Sequence, residues 1–133
     1  MTDDELIARA SAARTRAYAP YSKFEVGAAI LADGDVFDGA NVENASYGLA
    51  ICAERTALLR AVLEGVRELT AIAIVTTTSP PGAPCGACLQ TLTEFSPDPK
   101  KVRVILGNLR GERRTYTMAD LLPHAFRPED LQR

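Results

Sequence analysis

Several things are scarce in this chain of 133 residues, and each scarcity narrows its reading. No apolar run approaches the roughly 18 residues of a membrane span, so a transmembrane helix is not expected. The formal net charge is −2 and no long basic cluster offsets it, which removes the electrostatic footprint that a phosphate backbone requires. A nucleic-acid polymer is therefore a poor candidate partner. There is one histidine, His124, and there are three cysteines, Cys52, Cys85 and Cys88. An odd count, with two of the three spaced C-x-x-C, speaks against a disulfide framework and for metal or redox chemistry in a reducing compartment. The start, Met1-Thr2-Asp3-Asp4-Glu5, is acidic where a secretory signal would be basic, so a cytoplasmic location is expected. Internal repeats and low-complexity segments are absent.

What remains is an ordinary globular composition, 47 % apolar and 24 % charged, of a length that suits one domain over residues 1–133. Thr2-Asp3-Asp4-Glu5 reads as a capping box, and Leu6, Ile7, Ala10, Ala13 and Ala17 follow at helical spacing until Pro20 stops them. Phe24 to Leu31 is nearly continuous in apolar residues, Asp33-Gly34 is a turn, and Val36 and Phe37 resume the pattern, which predicts a hairpin. From Cys52 the period becomes helical through Ala57, Leu58, Ala61 and Val62, with Gly65 as C-terminal cap. Leu69 to Val75 reads as a buried strand, followed by a loop through Ser79-Pro80-Pro81-Gly82. A second amphipathic segment starts at Cys85 and Cys88 and ends before Pro97. Val102 to Leu106 is a further strand, and Arg113 to Thr117 an edge strand with polar alternation.

Chemistry concentrates in two stretches, Cys52-Ala53-Glu54-Arg55 and Pro84-Cys85-Gly86-Ala87-Cys88. Three thiolates fill the requirement of a catalytic zinc, which keeps three protein ligands and one open position. Glu54 lies two residues from a ligand, near enough to move a proton without being needed in the cage. Residues two apart on a regular helix point to nearly opposite sides. Cys52 must therefore sit at the helix cap or in its first turn for both to serve one site. Cys85 and Cys88, three apart, share a helix face. A competing reading makes the metal structural, with His124 completing a Cys₃His cage and Glu54 merely favouring the helix dipole.

The two stretches resemble the paired motif of the zinc-dependent nucleoside deaminases, H-x-E followed by P-C-x-x-C, in the variant where a cysteine replaces the histidine. They are most similar to the small, all-cysteine cytidine deaminases, and the resemblance extends from the first helix to Phe126. It implies a cytidine deaminase-like α/β fold, a three-layer α/β/α sandwich with a mixed five-stranded sheet. It also implies a homotetramer whose active sites are shared between subunits. The implied reaction is zinc-dependent hydrolytic deamination of free cytidine and deoxycytidine to uridine and deoxyuridine plus ammonia, a step of pyrimidine salvage. One zinc ion per chain is held by Cys52, Cys85 and Cys88, and Glu54 shuttles the protons while metal-activated hydroxide adds to C4.

The same resemblance makes Phe24, Asn41, Glu43, Ala53 and Phe126 substrate-binding residues, with Asn41 and Glu43 on the ribose hydroxyls and Phe126 reaching a neighbouring subunit's site. It gives Arg55 the task of offsetting thiolate charge. Read alone, Phe24 is a core aromatic at a strand start, Asn41 a turn residue, Glu43 a solvated charge and Arg55 a surface ion-pair partner. Leu89 departs from the family pattern, standing where most relatives carry arginine after the second motif cysteine. It alters the charge balance near the metal while leaving the ligands and Glu54 in place.

Overall fold

The computed structural model describes residues 1–131. Its centre is a five-stranded sheet in the order β2-β1-β3-β4-β5, made of β1 (Gly27–Ala32), β2 (Asp35–Ala40), β3 (Ala71–Thr76), β4 (Arg103–Asn108) and β5 (Arg113–Thr117). Only β3 and β4 run parallel, joined through the helix α3 (Gly86–Thr93), so the sheet is mixed. Helix α1 (Asp3–Arg14) covers one face and α2 (Ala53–Leu63) with α3 the other, giving the three layers expected. Among the described residues no helix is long and apolar enough to cross a membrane.

Strand alternation sorts the core between the layers. Ala28, Ile30, Ile72, Ile74, Val104 and Leu106 pack with Leu58 and Leu92 in one cluster. Their neighbours Ala29, Ala71, Ala73, Val75 and Ile105 pack with Leu6 and Ala10 of α1 in another. Strand β3 is buried along its whole length, which is why its sequence is a continuous apolar run rather than an alternating one. The β1–β2 turn has Asp33 at φ 54° and Gly34 at φ 79°, the left-handed pair of a two-residue hairpin.

Two glycines set how closely the helices approach. A Cβ on Gly39 would lie 2.5 Å from the Ala57 amide nitrogen and 3.0 Å from the Ala53 carbonyl, so α2 rests directly on the backbone of β2. A Cβ on Gly27 would lie 1.9 Å from the Ala10 carbonyl of α1, on the opposite face.

The first helix is shorter than its apolar spacing suggests, ending at Arg14 instead of continuing to Pro20. The chain leaves it to reach the end of β2, where the Tyr18 amide donates to the Asn41 carbonyl and the Tyr18 carbonyl accepts from the Glu43 amide. At its start only half of the expected capping box is present, the Thr2 hydroxyl accepting from the Glu5 amide. The reciprocal pair occurs instead at Thr117 and Asp120, capping a short helix α4 (Met118–Leu121) that apolar spacing did not reveal. Strand β1 begins at Gly27, not Phe24: the Phe24 carbonyl and the Val26 amide bond to the Asn41 side chain, and the Val26 carbonyl alone accepts from the Asn41 amide at 3.3 Å.

Candidate metal and substrate site

The site forms where several chain ends meet at one edge of the sheet. Gly27 at the start of β1 is opposite both Ala40 at the end of β2 and Val75 near the end of β3. The residues just beyond those ends, Val26, Asn41 and Thr76, consequently converge. Helices α2 and α3 begin at the same edge, and their first turns carry the cysteines.

Cys52 is the N-cap of α2 with extended backbone, φ −71° and ψ 156°, the irregular position its spacing to Glu54 demands. Cys85 is the N-cap of α3, and Cys88 lies one turn on. The three sulfurs lie within 4.8 Å of one another and form no disulfide. Cys85 and Cys88 Sγ are 3.5 Å apart. A tetrahedral zinc with bonds of about 2.3 Å would hold its sulfurs roughly 3.8 Å apart, so the cluster needs little adjustment to accept the ion. The donor set, soft thiolates alone, also suits zinc. Among the described residues no histidine, aspartate or glutamate joins these sulfurs as a fourth ligand. His124 is exposed in the tail and lines a different cavity, beside Pro97 and Asp98, so a Cys₃His cage does not form in this chain.

Positive charge surrounds the sulfurs. Two helix N-termini point at them, and Arg55 Nη2 donates to Cys52 Sγ at 3.6 Å. Among the described residues Arg55 Nε is buried without a hydrogen-bond partner, and the guanidinium reaches the cluster through Nη2. The Cys52 thiol is pulled down to about 5, chiefly by its hydrogen bond with Cys88 and then by the bond and charge of Arg55, against the opposing effect of burial. Cys88 moves above its ordinary range because it bonds to that anion and because it is buried.

Glu54, in the first turn of α2, is 5 % exposed, and burial pushes its carboxyl above the ordinary carboxylate value, with the Cys52 charge adding to the rise. It lines a cavity of about 240 Å³ together with Cys52 and Cys85. Phe24, Val26 and Ile74 give that cavity apolar walls; Asn41 and Thr76 give it polar ends, and Ala53 also borders it.

The expected site residues are thus divided. Phe24, Asn41 and Ala53 meet Glu54, Cys52 and Cys85 in one cavity. Glu43 lines a second cavity of about 270 Å³ with Tyr21, Ser22 and Tyr47. Phe126 borders neither cavity; it is 53 % exposed, and its carbonyl accepts from Gln90 Nε2 at 2.8 Å. Leu89 is buried in the main core beside Leu92.

Thr76 is a site residue that the sequence pattern hid inside a run of three threonines. Its buried hydroxyl accepts from the Gly82 amide at 3.3 Å and lies 2.9 Å from the Thr78 hydroxyl. Asn108 Nδ2 donates to the Thr78 carbonyl at 2.9 Å, so the loop delivering Cys85 is tied to the ends of both β3 and β4.

Residues 1–106 match the family model described as the cytidine and deoxycytidylate deaminase zinc-binding region, and fold and site together define a zinc-dependent deaminase with one zinc per chain. The chain is 54 % identical over 127 residues to the cytidine deaminase of Halalkalibacterium halodurans, covering 95 % of each. It is 49 % identical over 132 residues to that of Sporosarcina psychrophila, covering 98 % of this chain and 96 % of the relative. The crystal structure of cytidine deaminase from Burkholderia pseudomallei superposes with a TM-score of 0.90 at 53 % identity, covering 95 % of this chain and all (100 %) of that one. The chain belongs to the cytidine deaminase family.

Proposed function

We infer that the enzyme hydrolyses free cytidine and deoxycytidine to uridine and deoxyuridine, releasing ammonia, and that it serves pyrimidine salvage in the cytoplasm. The observation that carries this reading is the buried Glu54 carboxyl lining one cavity with Cys52 and Cys85, whose sulfurs lie with that of Cys88 within 4.8 Å of one another. Cys52, Cys85 and Cys88 hold the zinc. When bound, zinc supplies the Lewis acidity that makes a water nucleophilic near neutral pH.

The chain's own residues do the rest. Glu54 takes a proton from the attacking water, delivers it to N3 of the pyrimidine and passes a second to the departing amine. Burial supports this role, since it raises the proton affinity of the carboxyl and so suits it to donating as well as accepting. Phe24 forms an apolar wall for the base, and Ala53 borders the cavity from the first turn of α2, where amides lack intrahelical partners. Asn41 and Glu43 read the sugar hydroxyls. Arg55 offsets thiolate charge through its bond to Cys52.

The active unit is a homotetramer in which Phe126 completes the site of a neighbouring subunit. Exposed apolar side chains support this: Tyr18, Val42, Tyr47 and Leu49 are 55 %, 46 %, 76 % and 65 % exposed, a concentration typical of association surfaces. An absorbance assay on cytidine, deoxycytidine and cytosine, with and without a chelator, tests the function. Turnover of both nucleosides, loss on chelation and recovery on adding zinc are expected. A protein that ignores both nucleosides, or is indifferent to zinc removal, would refute it.

A further inference from the structure

The Phe24 wall of the Glu54 cavity is held by polar bonds whose hub is a serine with no assigned role. Phe24, the aromatic of that wall, is 40 % exposed, so core packing alone does not fix it. Its backbone is clamped from two sides. The Phe24 carbonyl accepts from Asn41 Nδ2 at 2.8 Å, and Asn41 Oδ1 accepts from the Val26 amide at 2.9 Å. The Phe24 amide donates to Ser22 Oγ at 3.0 Å, while the Ser22 hydroxyl itself donates to Glu43 Oε2. Glu43 Oε1 accepts from the Tyr21 and Ser22 amides at 3.0 and 3.1 Å. Between Ser22 and Phe24, Lys23 is at φ 60°, a left-handed conformation that residues with a Cβ rarely adopt. A turn containing such a residue requires something to hold it: the Lys23 amide donates to the Ala19 carbonyl at 3.0 Å, and the Ser22–Glu43 pair is the side-chain bond that joins the turn to the segment after β2.

We propose that Ser22 is a positioning residue for the nucleoside, its hydroxyl linking Glu43 to the Phe24 amide and so fixing the aromatic wall at the distance the base requires. This rests on the function proposed above and deepens it. Glu43 acts on the base as well as on the sugar, through Ser22. Ser22 does not touch the reacting atoms. Removing its hydroxyl should weaken ground-state and transition-state binding alike, which raises KM and leaves kcat in place.

The test measures steady-state kinetics on cytidine, zinc content and Phe24 amide hydrogen exchange in the wild type and in Ser22→Ala, Ser22→Thr and Ser22→Ala/Lys23→Gly. For Ser22→Ala the expected result is a KM raised about tenfold, the size of one lost charge-assisted hydrogen bond, with kcat within about twofold. Zinc should remain at one per chain, and exchange at Phe24 should be faster. Ser22→Thr keeps the hydroxyl and should restore both KM and protection. Lys23→Gly removes the left-handed strain and should recover part of the lost KM. Unchanged KM and exchange in Ser22→Ala would overturn the proposal. So would a parallel fall of kcat and zinc content, or a Ser22→Thr enzyme as poor as Ser22→Ala. If the wild type proves inactive on cytidine, the proposed function fails by itself, and Phe24 exchange still decides the role of Ser22.

Discussion

Two walls of one cavity are built by different physics. On the metal side, Cys52, Cys85, Cys88 and Glu54 occupy the caps and first turns of helices whose inner faces, Ala57, Leu58 and Leu92 among them, are fully buried in the main core. On the Phe24 side, the aromatic is placed by hydrogen bonds among an exposed Ser22 and the half-buried Asn41 and Glu43, from two irregular segments. The chemistry is therefore anchored to cooperative packing, and substrate recognition to a clamp that water can reach. The first should fail only with the ligands or the core, whereas the second should loosen independently of both.

The largest effect should come from taking a ligand on the metal side without touching the core. Cys85 is exposed, so Cys85→Ser should leave the fold intact by circular dichroism while zinc content and cytidine turnover both collapse. Retention of a full zinc complement would contradict its place in the cage. Next is the packing beneath that side. The Cβ of Gly39→Ala would meet α2 backbone at 2.5 Å, so overpacking should cost about 1–3 kcal/mol in thermal denaturation and displace the first turn carrying Glu54. Turnover and stability should fall together, and a variant as stable as wild type would show that α2 does not depend on this contact.

A smaller, local effect is expected on the clamp side. The Ser22 hydroxyl bond, aided by the Ser22 and Tyr21 amides and the Lys23 charge, holds the Glu43 carboxyl below its ordinary value of 4.5, outweighing the opposing effect of desolvation. Because the folded value is depressed, the support Glu43 gives the loop is fully present above 4.5 and is lost as pH falls through the lower folded value. The Tyr21 and Ser22 amide resonances should titrate with a midpoint below 4.5 in wild type, and Ser22→Ala should move that midpoint upward. A wild-type midpoint at or above 4.5 would remove the clamp.

The same contrast explains what could be read from the sequence. The caps at Cys52 and Cys85, the buried run of β3, the Asp33-Gly34 turn and the Gly65 stop at φ 96° follow from local spacing and backbone preference, so they were legible. The clamp was not, because Glu43 and Ser22 are 21 residues apart and meet only after the sheet brings the two segments together. The early end of α1 at Arg14 has the same origin: bonds from Tyr18 to Asn41 and Glu43 replace further helical turns. Thr76 carries no local signal of its role, because its hydroxyl ties the loop carrying Cys85 through an amide six residues on. The spacing roles of Gly39 and Gly27 depend on helices packed against them from distant parts of the chain, so local pattern does not carry them.

The central claim is that a three-cysteine cage holds the zinc while Glu54, outside it, carries the protons. Measuring zinc stoichiometry and cytidine turnover on the same Glu54→Gln preparation tests it most directly. The account predicts one zinc per chain and a rate lowered by at least about 10²–10⁴-fold, the usual worth of a positioned acid–base group. Near wild-type turnover with zinc retained, or loss of the zinc itself, would contradict it.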